Sequence, residues 1–315
     1  MPRPVLIDTD AGVDDALALL FALQSPELSI KAITTVAGNV GVRDCTLNVL
    51  TVLRLLDPLA LPEVAEGARK PLRRSLFSAP EVHGVDGLGN VRRSLWGRGG
   101  EGTFRRDAVN VIIERCLHFG RKLTIVAIGP LTNIARAWNK NPGALKRVGR
   151  IITMGGAFRV PGNTGPVAEF NYYVDPEAAG IVLHSGLPVT VVPLDVTQEL
   201  VLMRTELEVR AQRRSNRMAK ALVKFTKSYM QYHSATEGFN GGYLHDPLAV
   251  AVAIDPACVQ TERVHVDVEC AGRFTRGMTV ADFRRKPDRK RVSVDVATTV
   301  DRKRFFKLFH ARLWG

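Results

Sequence analysis

Val5-Leu6-Ile7-Asp8-Thr9-Asp10-Ala11-Gly12-Val13-Asp14-Asp15-Ala16 is the stretch from which the rest of the chain is best read. Val5 to Ile7 is a short apolar run that reads as a buried strand, and Ala16 to Leu23 continues as an apolar helical pattern. Between them lie Asp8, Asp10, Asp14 and Asp15, with Gly12 separating the two acidic pairs. A strand-to-helix turn gathers these carboxylates at one sheet edge, where they repel one another unless positive charge sits among them. A bound divalent cation is one answer. Only oxygen donors are near, so a hard ion such as Ca²⁺ or Mg²⁺ fits better than Zn²⁺. The other answer is an acidic cap on a solvated helix start, a position that Asp favours. One Asp fills that role, and four exceed it.

The chain has 315 residues, 45% hydrophobic and 24% charged, a composition that buries a sizeable globular core. No apolar run approaches the ~20 residues of a membrane helix. The N-terminus enters the first strand almost directly, leaving no room for a signal peptide, so a cytoplasmic enzyme is expected. Cys45, Cys116, Cys258 and Cys270 are far apart, with no C-x-x-C pair, and read as reduced thiols rather than disulfides or zinc ligands. The formal net charge is +13, and residues 273–312 carry thirteen Lys/Arg against four Asp/Glu. That segment has no recognisable nucleic-acid reading motif, so nucleic-acid binding is the weaker interpretation of the charge.

Along the chain, strand patterns alternate with helical ones. Strands are expected at Lys31–Val36, Glu63–Glu66, Lys122–Ile128, Arg150–Met154, Pro188–Pro193, Val264–Val268 and Arg291–Val296. Helices are expected at Arg43–Leu56, Asp107–Phe119, Leu131–Asn139, Asp175–His184 and Arg302–Leu313, with one long basic helical region over Thr205–His233. Residues 68–104 are rich in Gly, Pro, Arg and Ser and read as a long functional loop or a disordered segment. The alternation predicts one domain over 1–315: a Rossmann-like, doubly wound, mainly parallel sheet flanked by helices. Such sheets bind ligands outside the carboxyl ends of their strands. Asp10, Asn39, Gly129 and the loop after Met154 all follow predicted strands, so they belong to one site.

With a hard cation over Asp10 and Asp15, Asp246 on the Leu-His-Asp-Pro turn offers a third carboxylate, and the Ile128 carbonyl a backbone oxygen. Ca²⁺ takes six to eight oxygens, which leaves positions for water and a substrate diol. A carboxylate beside a metal-bound water takes its proton as the water attacks. Asn39, Asn163, Glu169 and Asn171 suit a hydroxyl-rich ligand, and His245 is placed to protonate a leaving group. Each has a structural alternative as well. Asn39 and Gly162-Asn163 are turn residues, His83 sits in a Gly-rich loop, and Asp14 is a candidate helix cap. Tyr229 and His233 can be read as core or surface residues of their helix. The Met and Phe positions read as core.

The opening turn resembles the N-terminal signature of the inosine–uridine nucleoside hydrolases, usually D-T-D-P-G-x-D-D-A. Thr35-Val-Ala-Gly-Asn39, His83-Gly-Val-Asp-Gly-Leu88, Ile128-Gly-Pro-Leu-Thr-Asn133, Met154-Gly-Gly156, Gly162-Asn to Ala168-Glu-Phe-Asn171 and His245-Asp-Pro-Leu-Ala249 follow in family order. The resemblance implies Ca²⁺-dependent cleavage of the N-glycosidic bond of ribonucleosides, giving ribose and free base. It implies that Asp10, Asp15, Asp246 and the Ile128 carbonyl hold Ca²⁺, with Asp10 also the general base. Asp14, Asn39, Asn163, Glu169 and Asn171 would grip the ribose, with His83 and His245 near the base. Tyr229 and His233 fall where helix residues contact or shield the base. His245 points to the His-bearing branch, with uridine and inosine favoured, and family precedent implies a homodimer or homotetramer. Ala11 stands where the family usually has Pro.

Two competing classes remain on the sequence. Aspartyl-phosphate phosphohydrolases also open on a strand ending D-x-D, but usually continue Gly-Thr where this chain has Ala-Gly-Val-Asp-Asp. A non-catalytic or nucleic-acid-binding protein would use the basic C-terminal segment instead.

Overall fold

A computed structural model describes residues 1–58, 60–96, 102–284 and 292–315. The first strand, β1 (Arg3–Thr9), is flanked by parallel partners on both sides. Those partners are β2 (Leu28–Thr35) and β4 (Thr124–Ala127). A central strand has no solvated face, which is why Val5 to Thr9 are all buried and the apolar run does not alternate with polar residues. The sheet continues through β3 (Glu63–Glu66), β5 (Arg150–Met154) and β6 (Val189–Val192). Two short strands outside it, β7 (Val201–Met203) and β8 (Gly241–Tyr243), pair with each other. The C-terminal part adds β9 (Val259–Val264), β10 (Val266–Val268), β11 (Thr279–Ala281) and β12 (Val294–Val300).

The eight-stranded sheet runs in the order β3-β2-β1-β4-β5-β6-β12-β9, with only the β12–β9 pairing antiparallel. Val5 and Ile7 enter one apolar core and Leu6 the other, so the sheet is packed on both faces. The helix Arg302–Leu313 closes the first core, where Phe309 meets Phe21 edge-on with ring centroids 5.4 Å apart. The chain reverses its direction of winding between β1 and β4, which opens a crevice at their carboxyl ends. No helix among the described residues is long and apolar enough to cross a membrane.

Several elements differ from the sequence expectation. The basic region 205–233 is two helices, Arg204–Arg214 and Arg217–Thr236, broken where Ser215 adopts φ +46°. Asn216 caps the second helix by accepting the Ala219 amide at 2.8 Å. The expected strand at 264–268 is the last residue of β9 and the whole of β10, with His265 at the junction. Of the expected strand at 291–296, Arg291 lies outside the described residues, and β12 begins at Val294. The 68–104 loop contains two short helices, Pro80–His83 and Arg92–Trp96, and Asp86 accepts the amides of Leu88, Asn90 and Arg92. Residues 97–101 of that loop lie outside the described residues. Not every Met and Phe is core: Phe77 is 42% and Phe274 77% exposed.

Candidate active site

Leaving β1, the chain turns through Asp10, Ala11 and Gly12 into the helix Val13–Leu23. Ala11 adopts φ +39° and donates its amide to Thr9 Oγ1 at 3.0 Å. A proline has neither that φ nor that N–H, so the Ala-for-Pro exchange goes with a differently shaped turn. Gly12 is required by crowding, since a Cβ there would lie 2.5 Å from Asn39 Nδ2 and 2.7 Å from His83 Nδ1. Gly38 is required likewise, because its Cβ would fall 2.1 Å from Asp10 Oδ2.

All four acids of the turn are buried, which removes the solvated-cap reading; Gly12, not Asp14, occupies the helix N-cap position. Each carboxylate has its own surroundings. Asp8 accepts Thr34 Oγ1 at 2.5 Å and Asn133 Nδ2 at 2.8 Å inside the sheet. Asp10 accepts the Asn39 amide on Oδ2 at 2.8 Å, while its buried Oδ1 has no hydrogen-bond partner. Asp15 is engaged on both oxygens: Thr9 Oγ1 at 2.5 Å on one, the Gly12 amide at 2.8 Å and Asn39 Nδ2 at 3.0 Å on the other. Asp246, at the start of the helix His245–Ile254, joins Asp14 and Asp15 in a buried group whose ligating oxygens lie within 4.8 Å of one another. That closest trio contains Asp14 where the sequence reading put Asp10. Asp10 remains electrostatically tied to Asp15 and Asp14.

Burial dominates the titration of the cluster. It drives Asp10 and Asp246 well above the carboxylate range, with the neighbouring Asp charges adding to the effect. Asp14 rises to about 8 through burial and the Asp15 charge, and Asp15 is raised by burial. A like-charge pair some 4–5 Å apart costs about 3–4 kcal/mol at an effective dielectric near 20. Several such pairs cannot all ionise unless a cation is present. The donor set fits a hard ion: carboxylate oxygens, an orphaned Asp10 Oδ1, and the Ile128 carbonyl, which carries only a 3.3 Å contact from Asn171 Nδ2.

Above the carboxylates lies a cavity of about 320 Å³. Of the residues singled out from the sequence, Asp14, Asn39, His83, Ile128, Asn163, Glu169, Asn171, Tyr229, His233, His245 and Asp246 line it. Asp10 and Asp15 do not line it and lie buried. Glu169 caps the helix Phe170–Val174 by accepting the Asn171 and Tyr172 amides, and also accepts the Gly156 amide at 3.0 Å. Burial raises its pKa to about 7. Asn163 accepts the Phe170 amide at 2.9 Å.

The histidines are fixed by their partners. His83 Nδ1 accepts the Val13 amide at 3.1 Å, so its proton is on Nε2. His233 Nδ1 donates to the Tyr229 carbonyl at 2.9 Å. His245 Nδ1 pairs with Thr197 Oγ1 at 2.7 Å. Burial first, then the neighbouring histidines, holds His83 and His245 down at about 3, so both are neutral near pH 7. Tyr229 stacks on His83 at 5.7 Å and meets His233 at 4.5 Å; Tyr243 bridges His233 and His245, each at 5.1 Å.

Phe77, Glu81, Gln198, Tyr232, Glu237 and Tyr243 also line the cavity and were not singled out from the sequence. Glu237 had a legible signal, lying eight residues after Tyr229 and four after His233 on one helical face. Asn133, which holds Asp8, the Thr35 carbonyl and the Ala68 amide together, lay unassigned within the Ile128–Asn133 motif.

The sequence pattern of the family described as inosine-uridine preferring nucleoside hydrolase matches residues 5–307. The pyrimidine-specific ribonucleoside hydrolase RihA of Salmonella typhimurium is 40% identical, over 99% of each chain. RihA of Enterobacter sp. (strain 638) is 39% identical over 99% of this chain and 98% of its own. Among solved structures, the plant nucleoside hydrolase PpNRh1 superposes with a TM-score of 0.90 at 38% identity, covering all of both chains. The purine-preferring ribonucleoside hydrolase from Gardnerella vaginalis gives 0.90 at 35% identity, over 99% of this chain and 98% of its own.

Proposed function

The chain belongs to the inosine-uridine preferring nucleoside hydrolase family, enzymes that hydrolyse ribonucleosides to ribose and free base, and from that premise we propose a Ca²⁺-dependent reaction with Asp10 as general base. Enzyme class and family replace the phosphohydrolase and non-catalytic readings. The observation that carries the proposal is the buried carboxylate cluster at the β1/β4 crevice, with Asp10 Oδ1 left unpartnered beneath a polar cavity.

Asp10, Asp15, Asp246 and the Ile128 carbonyl would hold the ion, and Asp14 lies close enough to Asp15 and Asp246 to join them. Bound Ca²⁺ supplies the positive charge that lets these acids ionise together and an oxygen-seeking contact for a ribose diol. Asp14, Asn39, Asn163, Glu169 and Asn171 orient the ribose hydroxyls. The Asn39 amide anchors one oxygen of Asp10, which leaves Oδ1 to take the proton of the attacking water. As that water's oxygen bonds to the anomeric carbon, the N-glycosidic bond breaks and its electron pair leaves with the base. The surrounding carboxylates stabilise the oxocarbenium-like charge on the sugar. His245, neutral and braced by Thr197, serves as the donor to the departing base, and His83, Tyr229 and His233 enclose it.

We take uridine as the first substrate to test, with inosine next, since the RihA relatives carry a pyrimidine-specific name and the G. vaginalis structure a purine-preferring one. The same reading treats residues 1–315 as one catalytic domain, acting in the cytoplasm as a homodimer or homotetramer. The test is ribose release across a panel of ribonucleosides and 2′-deoxynucleosides. Hydrolysis of uridine or inosine, with 2′-deoxyuridine much slower, is the expected result. No ribose from any ribonucleoside would overturn the proposal.

A further inference from the structure

Three strand ends meet on one buried side chain that the reaction does not use directly. Asn133, in the first turn of the helix Thr132–Lys140, is fully buried and does not line the cavity. Its Nδ2 donates to Asp8 Oδ1 at 2.8 Å and to the Thr35 carbonyl at 2.9 Å, and its Oδ1 accepts the Ala68 amide at 2.9 Å. Asp8 is the last residue but one of β1, Thr35 is the last of β2, and Ala68 follows shortly after β3. We propose that Asn133 is a positioning residue. By tying these three strand ends together it sets the placement of Asp10 and Asn39 without touching the substrate.

The amide fits in one orientation. The Thr35 carbonyl can only accept and the Ala68 amide can only donate, so Nδ2 faces β1 and β2 while Oδ1 faces the loop after β3. Both amino hydrogens and the oxygen are then used. Gly67 makes room for the group, since a Cβ there would lie 2.4 Å from Asn133 Oδ1 and 2.5 Å from the Thr35 carbonyl oxygen. The core on this face of the sheet is apolar, with Leu6, Ala32, Ala65 and Ile134 in it. A hydrogen bond formed in such a core stabilises by only about 1 kcal/mol net, so an aliphatic side chain would pack there comparably well. An aliphatic side chain cannot hold three separate segments in register by directional bonds.

From this junction two short routes reach the site. On the β1 side, Asp10 follows Asp8 by two residues, and the Asp8 carbonyl accepts the Ile128 amide at 2.8 Å. On the other side, the Ala68 carbonyl accepts the Ala37 amide at 2.9 Å, two residues before Asn39. Asn39 closes the circuit, donating its amide to Asp10 Oδ2 at 2.8 Å and its side chain to Asp15 Oδ2 at 3.0 Å. The direction in which Asp10 presents its unpartnered Oδ1 therefore depends on where Asn133 holds the ends of β1, β2 and β3. A misplacement of about 1 Å at such a group costs roughly 100-fold in rate.

The test compares Asn133→Leu, which keeps the bulk and removes the three bonds, with Gly67→Ala, which displaces the amide from a different segment. Leu145→Ala, in the same apolar core but outside this circuit, is the control for lost stability alone. Each variant is assayed well below its Tm on the ribonucleoside that the wild type hydrolyses fastest, and its Ca²⁺ affinity is measured by calorimetry. Asn133→Leu and Gly67→Ala should each lower kcat by about 10- to 100-fold, more than they change KM, and weaken Ca²⁺ binding by about 10-fold. Leu145→Ala should lower Tm and leave kcat and Ca²⁺ affinity unchanged. If Asn133→Leu fails to fold, Gly67→Ala decides the matter by the same measurements. Wild-type kcat and Ca²⁺ affinity in the folded variants, or an equal loss of kcat in Leu145→Ala, would overturn the positioning role. The inference rests on the proposed role of Asp10, and the two fail separately: normal kcat in Asp10→Asn unseats the base, whereas normal kcat in the Asn133 and Gly67 variants unseats only the positioning.

Discussion

At the residue scale, the acids of the opening turn differ in how many of their oxygens are occupied. Asp15 is engaged on both, while Asp10 and Asp8 are each engaged on one only, Asp8 through Thr34 and Asn133 on its Oδ1 within the sheet. The sequence made all four visible but not this division, because hydrogen-bond partners such as Asn133 and Thr34 come from distant strands. If Asp10 Oδ1 takes the proton of the attacking water, Asp10→Asn lowers kcat on uridine by about 10²–10⁴-fold with a much smaller change in KM. Steady-state kinetics with kcat near wild type would remove Asp10 as the base. His245 makes a separate claim. His245→Ala should slow uridine far more than p-nitrophenyl riboside, because nitrophenolate leaves without taking a proton. Equal losses on the two substrates would argue against a donor role.

At the element scale, periodicity located most helices and strands but misjudged their breaks. The 205–233 region reads as one helix because apolar residues of both helices, Leu207 and Ala211, then Met218 and Leu222, face buried surroundings and keep the helical spacing. Ser215-Asn216 was the available signal: a left-handed residue followed by an N-cap side chain. Asn216→Ala should therefore cost about 1 kcal/mol in denaturant unfolding, with kcat and KM unchanged. No shift in the midpoint would mean the cap contributes nothing. His265 interrupts the strand expected at 264–268, since the edge strand β9 pairs in the sheet with β12 and the chain can leave the sheet there. The strand ends that mattered for the site were legible, because β1, β2, β4 and β5 lead into the segments that carry Asp10, Asn39, the Ile128 carbonyl and the loop after Met154.

At the scale of the whole molecule, the site joins segments from β1 to the helix beginning at His245, and chain order alone could not give their distances. It did give the shared location, through the rule that parallel sheets bind at their carboxyl ends. The buried acids also make stability depend on pH. Asp14 at about 8 and Asp8 and Glu169 at about 7 keep protons in the metal-free fold that the unfolded chain, with ordinary carboxylates, releases. More protons are then bound in the folded state, so stability rises as pH falls from 8 to 6.5, by about 1.4 kcal/mol per pH unit for each proton of difference. Below 6.5, His83 and His245, held at about 3, oppose this trend because the unfolded chain takes up protons there. Chelator-treated protein should thus gain Tm between pH 8 and 6.5, and Ca²⁺-loaded protein should gain less; equal slopes would deny that the cation neutralises these acids. The most direct measurement is uridine hydrolysis by protein stripped with a chelator, shown metal-free by elemental analysis, and then titrated with Ca²⁺. The account predicts that ribose release is lost on stripping and returns with about one equivalent of Ca²⁺ per chain; full activity in metal-free protein would contradict it.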